Sequence, residues 1–75
     1  MNIQQLSDHC QKNFKQSLKK DSWMHKGIYF VRINLPNGLV AEASEKVDRS
    51  KPDGYYKTNT LQLAVDEAVK MLSIS

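Results

Sequence analysis

Residues 28–47, IYFVRINLPNGLVAEASEKV, decide the fold of this 75-residue chain. Residues 28–35 are rich in β-branched and aromatic side chains, which favours a strand. Pro36, Asn37 and Gly38 follow, and these residue types are typical of a tight turn. Residues 39–47 then alternate between small or apolar and polar side chains, as a returning strand does. The stretch therefore predicts an antiparallel hairpin.

The turn also predicts the register of this hairpin. If Leu35 lies opposite Leu39, Arg32 falls opposite Glu42, and such a cross-strand ion pair is favourable. A slip of one residue would exchange the two faces, so the pattern of side chains tests the register. One predicted face is nearly all apolar, with Tyr29, Val31 and Ile33 opposite Glu45, Ala43 and Ala41. The other face pairs Ile28 with Lys46, Phe30 with Ser44, Arg32 with Glu42 and Asn34 with Val40.

Amphipathic helices are predicted on both sides of the hairpin. Residues 3–20 carry apolar side chains at spacings of three and four, within about 120° of the helix circumference. These are Ile3, Leu6, Cys10, Phe14 and Leu18. Residues 60–73 repeat the pattern behind Asn59, which is interpreted as a helix cap. Residues 54–58 are interpreted as a short third strand.

These elements predict one small α+β domain over residues 1–75, with the order α-β-β-β-α. The strands form a three-stranded antiparallel meander, and both helices pack on its apolar face, which buries every amphipathic element. The opposite face of the sheet stays uncovered, as antiparallel sheets tolerate. The open face is then the largest surface with no part in the fold.

Composition favours an intracellular globular protein. The chain has a net charge of +3, 40% hydrophobic residues and 25% charged residues. Its longest apolar run, residues 28–31, is far shorter than the ~20 residues that span a bilayer. Cys10 is the single cysteine, so no internal disulfide can form. The first residues lack the apolar core of a secretory signal. We expect a cytoplasmic protein.

The sequence predicts no catalytic or metal site. Ser7, Asp8 and His9 are adjacent, and adjacent residues on a helix point about 100° apart, which prevents a hydrogen-bonded triad. His9, Cys10 and His25 are too few and too poorly spaced for a structural zinc site. No glycine-rich phosphate loop is present. We therefore expect a protein that is not an enzyme and that uses no cofactor or metal.

The uncovered sheet face is the predicted protein-binding site. Its candidate residues are Ile28, Phe30, Arg32, Val40 and Glu42. Apolar and aromatic side chains rimmed by charge are common at partner sites. The predicted function is a small protein-binding module that acts through this face or through a sheet edge, with a homodimer left open. In the opposing interpretation, residues 21–26 with Trp23 fold over the face and bury it.

Nucleic acid is the alternative partner. The charge excess lies in residues 1–26, where Lys12, Lys15 and Lys19 share one side of the predicted first helix, within about 60°. Lys57 precedes the predicted second helix and completes the candidate set. Phe30 and a tyrosine beside Arg32 could stack on bases.

The α-β-β-β-α order resembles the double-stranded RNA-binding domain family over nearly the whole chain. The resemblance implies RNA recognition by shape, through the first helix, a loop between strands and the start of the second helix. The lysines of the first helix are the residues that could serve in this way. The family's extended loop is replaced here by Pro36, Asn37 and Gly38. In its size and lack of chemistry, the chain is also similar to small phage- or plasmid-encoded inhibitors or accessory regulators, which occupy a larger protein.

Overall fold

Three antiparallel strands and two helices follow one another in the predicted order. The computed structural model describes residues 1–52 and 54–74. Its elements are α1 (Ile3–Phe14), β1 (Lys19–His25), β2 (Ile28–Asn34), a short 3-10 helix (Pro36–Gly38), β3 (Val40–Lys46) and α2 (Tyr55–Met71). The strands form one antiparallel sheet in the order β1-β2-β3. The predicted α+β class and the α-β-β-β-α order are confirmed.

The β2–β3 hairpin has the predicted register. Arg32 pairs with Glu42, and the neighbouring pairs follow as the sequence indicated. Asn37 and Gly38 both adopt left-handed backbone conformations, with φ of 65° and 74°. The N–H of Leu35 donates to the carbonyl of Leu39 at 2.8 Å, which closes the turn.

The third strand of the sheet comes from a different part of the chain than predicted. The strand predicted at residues 54–58 is wrong, because residues 55–58 form the first turn of α2. The third strand is β1, whose residues were assigned to the end of the first helix and to an irregular segment. Lys26 and Gly27 have φ of 50° and 78° and join β1 to β2. Two successive left-handed residues are the geometry of a type I′ hairpin turn, which lets β1 pair with β2 along its whole length.

The first helix is shorter than the predicted 3–20. It begins with a capping box, in which Asn2 and Gln5 exchange backbone and side-chain hydrogen bonds of 2.8 and 2.9 Å. It ends at Phe14 because Lys15 takes a left-handed conformation, with φ of 58°. Leu18 lies four residues after Phe14, and this helical spacing is the reason why the predicted helix extended to residue 20. In the structure Leu18 lies beyond the helix and still packs against the core.

The second helix begins five residues earlier than predicted, at Tyr55. Its N-cap is Gly54, which has a left-handed conformation. Asn59 is therefore not a cap. It lies inside the helix, where its side chain donates a 2.7 Å hydrogen bond to Glu45 of β3. The ring of Tyr56 contacts Tyr29 edge-on at 5.1 Å, and this contact holds the additional turn against the sheet.

The core lies between the sheet and the helices. α2 packs against β2 and β3, and α1 packs against α2. The buried cluster comprises Leu6, Cys10, Val31, Ile33, Leu35, Ala41, Ala64, Val65 and Ala68. Full burial of a valine or leucine side chain contributes roughly 1.5–3 kcal/mol, so this cluster is a major source of the stability of the fold. Within the described residues, the helices are too short or too polar to cross a membrane.

Candidate functional site: the open face of the sheet

One face of the sheet points away from the helices, and we call it the open face. Alternate side chains of a strand point to opposite sides, and the other side carries the buried Val31, Ile33 and Ala41. The open face is formed by Lys19, Asp21, Trp23 and His25 of β1, Ile28, Phe30, Arg32 and Asn34 of β2, and Val40, Glu42, Ser44 and Lys46 of β3. All five residues of the predicted protein-binding site lie on it. That they bind a partner remains a prediction.

An aromatic stack occupies the middle of the open face. Trp23 lies directly opposite Phe30 in the β1–β2 pairing. Their ring centroids are 5.3 Å apart and the ring planes differ by 6°, which is a stacked arrangement. Trp23 remains 37% exposed although it contacts Phe30. The stack therefore presents a large aromatic surface that is accessible from solvent.

Arg32 joins the stack to a charged pair. Its guanidinium carbon lies 5.2 Å from the centroid of the Trp23 ring, within the range of a cation–π contact. One guanidinium nitrogen lies 3.5 Å from a carboxylate oxygen of Glu42. Both side chains are about half exposed, so this ion pair contributes little to stability. The guanidinium of Arg32 thus lies between the Glu42 carboxylate and the indole of Trp23.

The apolar surface continues beyond the stack. Ile28 lies two residues from Phe30 on β2, and Val40 lies at the other end of the sheet, opposite Asn34. Both side chains count among the exposed large hydrophobic residues. The open face therefore combines exposed aliphatic and aromatic side chains with charges of both signs.

Trp23 is the site residue that the sequence interpretation missed as a binding group. From the sequence, Trp23 belongs only to the segment 21–26, which the opposing interpretation folds over the sheet. In the structure it belongs to the sheet and enlarges the open face, where it stays accessible. The signal was present at Lys26 and Gly27, because a two-residue turn there pairs Trp23 with Phe30.

The lysines predicted to bind nucleic acid do not share one helix. The common helix side of Lys12, Lys15 and Lys19 is wrong, since α1 ends at Phe14 and Lys19 belongs to β1. Lys57 lies in the first turn of α2, where its ammonium is 6.0 Å from the Tyr56 ring.

Lys57 also lies near the opposite end of the sheet from Lys19. Its neighbour Tyr56 contacts Tyr29, and Tyr29 pairs with Met24. Met24 is five residues from Lys19 along β1, which corresponds to roughly 17 Å.

The polar side chains of α1 hydrogen-bond to neighbours one helical turn away. The Asp8 carboxylate accepts a hydrogen bond from Gln4 at 3.0 Å, and His9 lies beside Asn13. Burial raises the pKa of the Cys10 thiol, which lowers its reactivity. Across residues 1–52 and 54–74, no three histidine, cysteine, aspartate or glutamate side chains are placed to hold a metal ion.

Comparison with family models, with curated proteins and with solved structures finds no match for this chain. The open face and the edges of the sheet are therefore the features of the molecule from which we infer a function.

Proposed function

We propose that this chain is a protein-binding module without enzymatic activity and that its open face contacts the partner. The observation that carries the proposal is the exposed stack of Trp23 on Phe30, with Arg32 over the indole, on a sheet face that neither α1 nor α2 covers within the described residues. Tryptophan and arginine are enriched among the residues that dominate binding energy at interfaces. In a domain with so small a core, leaving Trp23 and Arg32 exposed does not help the chain to fold, which favours a role in binding.

The partner that this surface fits is a protein surface with protruding apolar side chains. Trp23, Phe30 and Ile28 provide the apolar area, and the rings of Trp23 and Phe30 already lie against each other in the unbound chain, which reduces the ordering needed on binding. Charges of both signs surround it, with Lys19, Arg32 and Lys46 against Asp21 and Glu42. A mixed polar rim of this kind is typical of interfaces between separately folded proteins. The mode of action we infer is occupation of a larger protein, as an inhibitor or accessory regulator.

Paired substitutions on β1 test the proposal. Trp23 and Met24 are adjacent, both are exposed, and they point to opposite sides of the sheet. We expect Trp23→Asp to abolish capture of the partner from an extract of the native host. Met24→Asp introduces the same charge one residue away and should leave capture unchanged. Phe30→Asp should act like Trp23→Asp.

The measurement is capture on immobilised chain after nuclease treatment, with mass spectrometry of the retained proteins. Circular dichroism of each variant shows whether the fold persists. The proposal requires one protein that both wild type and Met24→Asp retain and that Trp23→Asp loses. Equal retention by folded Trp23→Asp and Met24→Asp would refute a role for the open face.

Nucleic acid is a second candidate, favoured by one observation: an exposed aromatic stack beside Arg32 can stack on unpaired bases. Trp23 is the only tryptophan of the sequence, so its fluorescence reports directly on the open face. Single-stranded oligonucleotides should quench it at low salt, with an affinity that falls as salt rises. Substitution of Lys12, Lys15 and Lys19 together by glutamate should then weaken binding. Unchanged fluorescence at low salt would exclude this candidate.

A further inference from the structure

The outer edge of β3 is a free sheet edge whose backbone directions are fixed. Leu35 N–H donates to the Leu39 carbonyl, and Val47 N–H donates to the Gly27 carbonyl at 2.9 Å. Bonded and non-bonded pairs alternate along an antiparallel ladder, so these two bonds set the direction of every residue between them. The backbone groups of the even-numbered residues of β3 therefore point away from β2 and toward solvent.

These outward groups are available to another strand. No hydrogen bond from elsewhere in the described chain reaches the backbone of Glu42, Ser44 or Lys46. All three residues are exposed. An unpaired edge of this length is a template for the addition of a further strand.

We propose that a second copy of this chain pairs with it through antiparallel β3 strands, with a two-fold axis beside Ser44. In this register the outward backbone groups of Glu42, Ser44 and Lys46 meet those of the second copy. Each such pair exchanges two hydrogen bonds, which gives six across the axis. The two sheets become one continuous sheet, and the open faces of both copies lie on the same side. The inference goes beyond the proposed function and does not depend on it.

Charge favours this register over its neighbours. With the axis at Ser44, Glu42 lies directly opposite Lys46 of the second copy, and symmetry creates this ion pair twice. An axis at Glu42 would set two carboxylates opposite each other, which is destabilising. An axis at Ala43 would leave Glu42 opposite Ser44, with no direct ion pair.

An exposed leucine on α2 supports the same arrangement. The Asn59 side chain reaches Glu45 of β3, so this flank of α2 lies on the β3 side of the molecule. Leu63 follows one helical turn later on the same flank and is 46% exposed. Pairing of the β3 strands brings the two α2 helices toward each other across the axis. Leu63 then lies between them and gains apolar contact.

The other edge of the sheet, β1, offers no equally good match, because an axis at Lys20, which would set Lys19 opposite Asp21, also sets two Lys20 side chains opposite each other. With an axis at Ser22, Lys20 would face Met24 and Lys19 would face His25 of the second copy. No opposite charges meet directly in that register. Lysines on an edge strand are a common means of preventing strand addition. The comparison of the two edges therefore favours β3.

Charge exchange across the axis tests the proposal by sedimentation equilibrium. Wild type should show a mass near twice 8.6 kDa. Lys46→Glu alone, or Glu42→Lys alone, places like charges opposite each other and should weaken association at least about tenfold. An equimolar mixture of these two variants restores both ion pairs and should recover the dimer. Lys20→Glu, the same charge change on β1, should have no effect.

A backbone block gives an independent test if a charge variant does not fold. The N–H of Ser44 points outward, so Ser44→Pro leaves the β2–β3 hydrogen bonds intact and removes one bond to the second copy. We expect Ser44→Pro to be monomeric and folded by circular dichroism, with Ser44→Thr dimeric.

A wild-type chain that stays at 8.6 kDa at every concentration would overturn the proposal. So would a dimer that survives both Lys46→Glu and Ser44→Pro, or one that Lys20→Glu dissociates. None of these results bears on Trp23 and the open face, so the two proposals fail separately.

Discussion

The two faces of β2 differ in their role, because one face is buried in the core and the other is exposed to solvent. Val31 and Ile33 are 1% and 0% exposed, whereas Arg32 between them points to the opposite side and is about half exposed. All three residues belong to the same strand and pair with neighbouring strands. They differ because the helices pack on the side of Val31 and Ile33, and Arg32 points to the other side. The covered face holds the molecule together, and the open face can therefore change without loss of the fold.

The largest expected effect comes from two isoleucines on these faces. Ile33→Ala removes fully buried atoms and should lower the free energy of unfolding by about 3 kcal/mol. Ile28→Ala removes the same atoms from the open face and should cost less than about 1 kcal/mol. Urea denaturation measures both. Equal losses would show that the open face also contributes to the core.

Glu45 and Glu42 of β3 allow the same comparison for polar contacts, since Glu45 lies on the covered face and Glu42 on the open face. The Glu45 carboxylate accepts hydrogen bonds from Asn59 at 2.7 Å and from the buried Thr60 at 3.1 Å. Glu45→Ala should cost about 1–2 kcal/mol, because it leaves the Thr60 hydroxyl without its acceptor. Glu42→Ala, on the open face, should cost at most about 0.5 kcal/mol. Thermal unfolding of a folded monomer, such as Ser44→Pro carrying each change, separates this effect from association.

The smallest effect is expected for the Arg32–Glu42 pair itself. A double-mutant cycle with alanine at both positions should give a coupling of about 0.2–0.5 kcal/mol that decreases as salt is added. A salt-independent coupling above about 1 kcal/mol would contradict the exposure of this pair, and would assign the open face a structural role.

The hairpin could be predicted from sequence because several signals agree there. The turn residues, the alternation of side chains and the Arg32–Glu42 pairing each indicate the same register, and a shift of one residue violates all three. The five predicted site residues follow from that register, so their location on the open face was determined as well. Whether they bind a partner depends on chemistry outside this chain.

The β1 strand could not be predicted in the same way. Its sequence, KKDSWMH, has no apolar alternation, and its residues are all exposed. The strand is held by backbone hydrogen bonds to β2 and by the stack of Trp23 on Phe30, and neither produces an alternation of apolar side chains along β1. The helical spacing of Leu18 suggested a longer α1 instead. The start of α2 was predicted as a strand for a related reason. Tyr55 and Tyr56 are typical strand residues, and the contact of Tyr56 with Tyr29 holds this turn in the helix.

The burial of Cys10 has a practical consequence. The sequence contains no other cysteine, and this one lies fully within the core with a raised pKa. A cysteine introduced on the surface would therefore be the one thiol that reacts readily with a maleimide. Photo-crosslinkers or spin labels could be attached at chosen positions of the native background, and the contact area of any bound molecule could be mapped point by point.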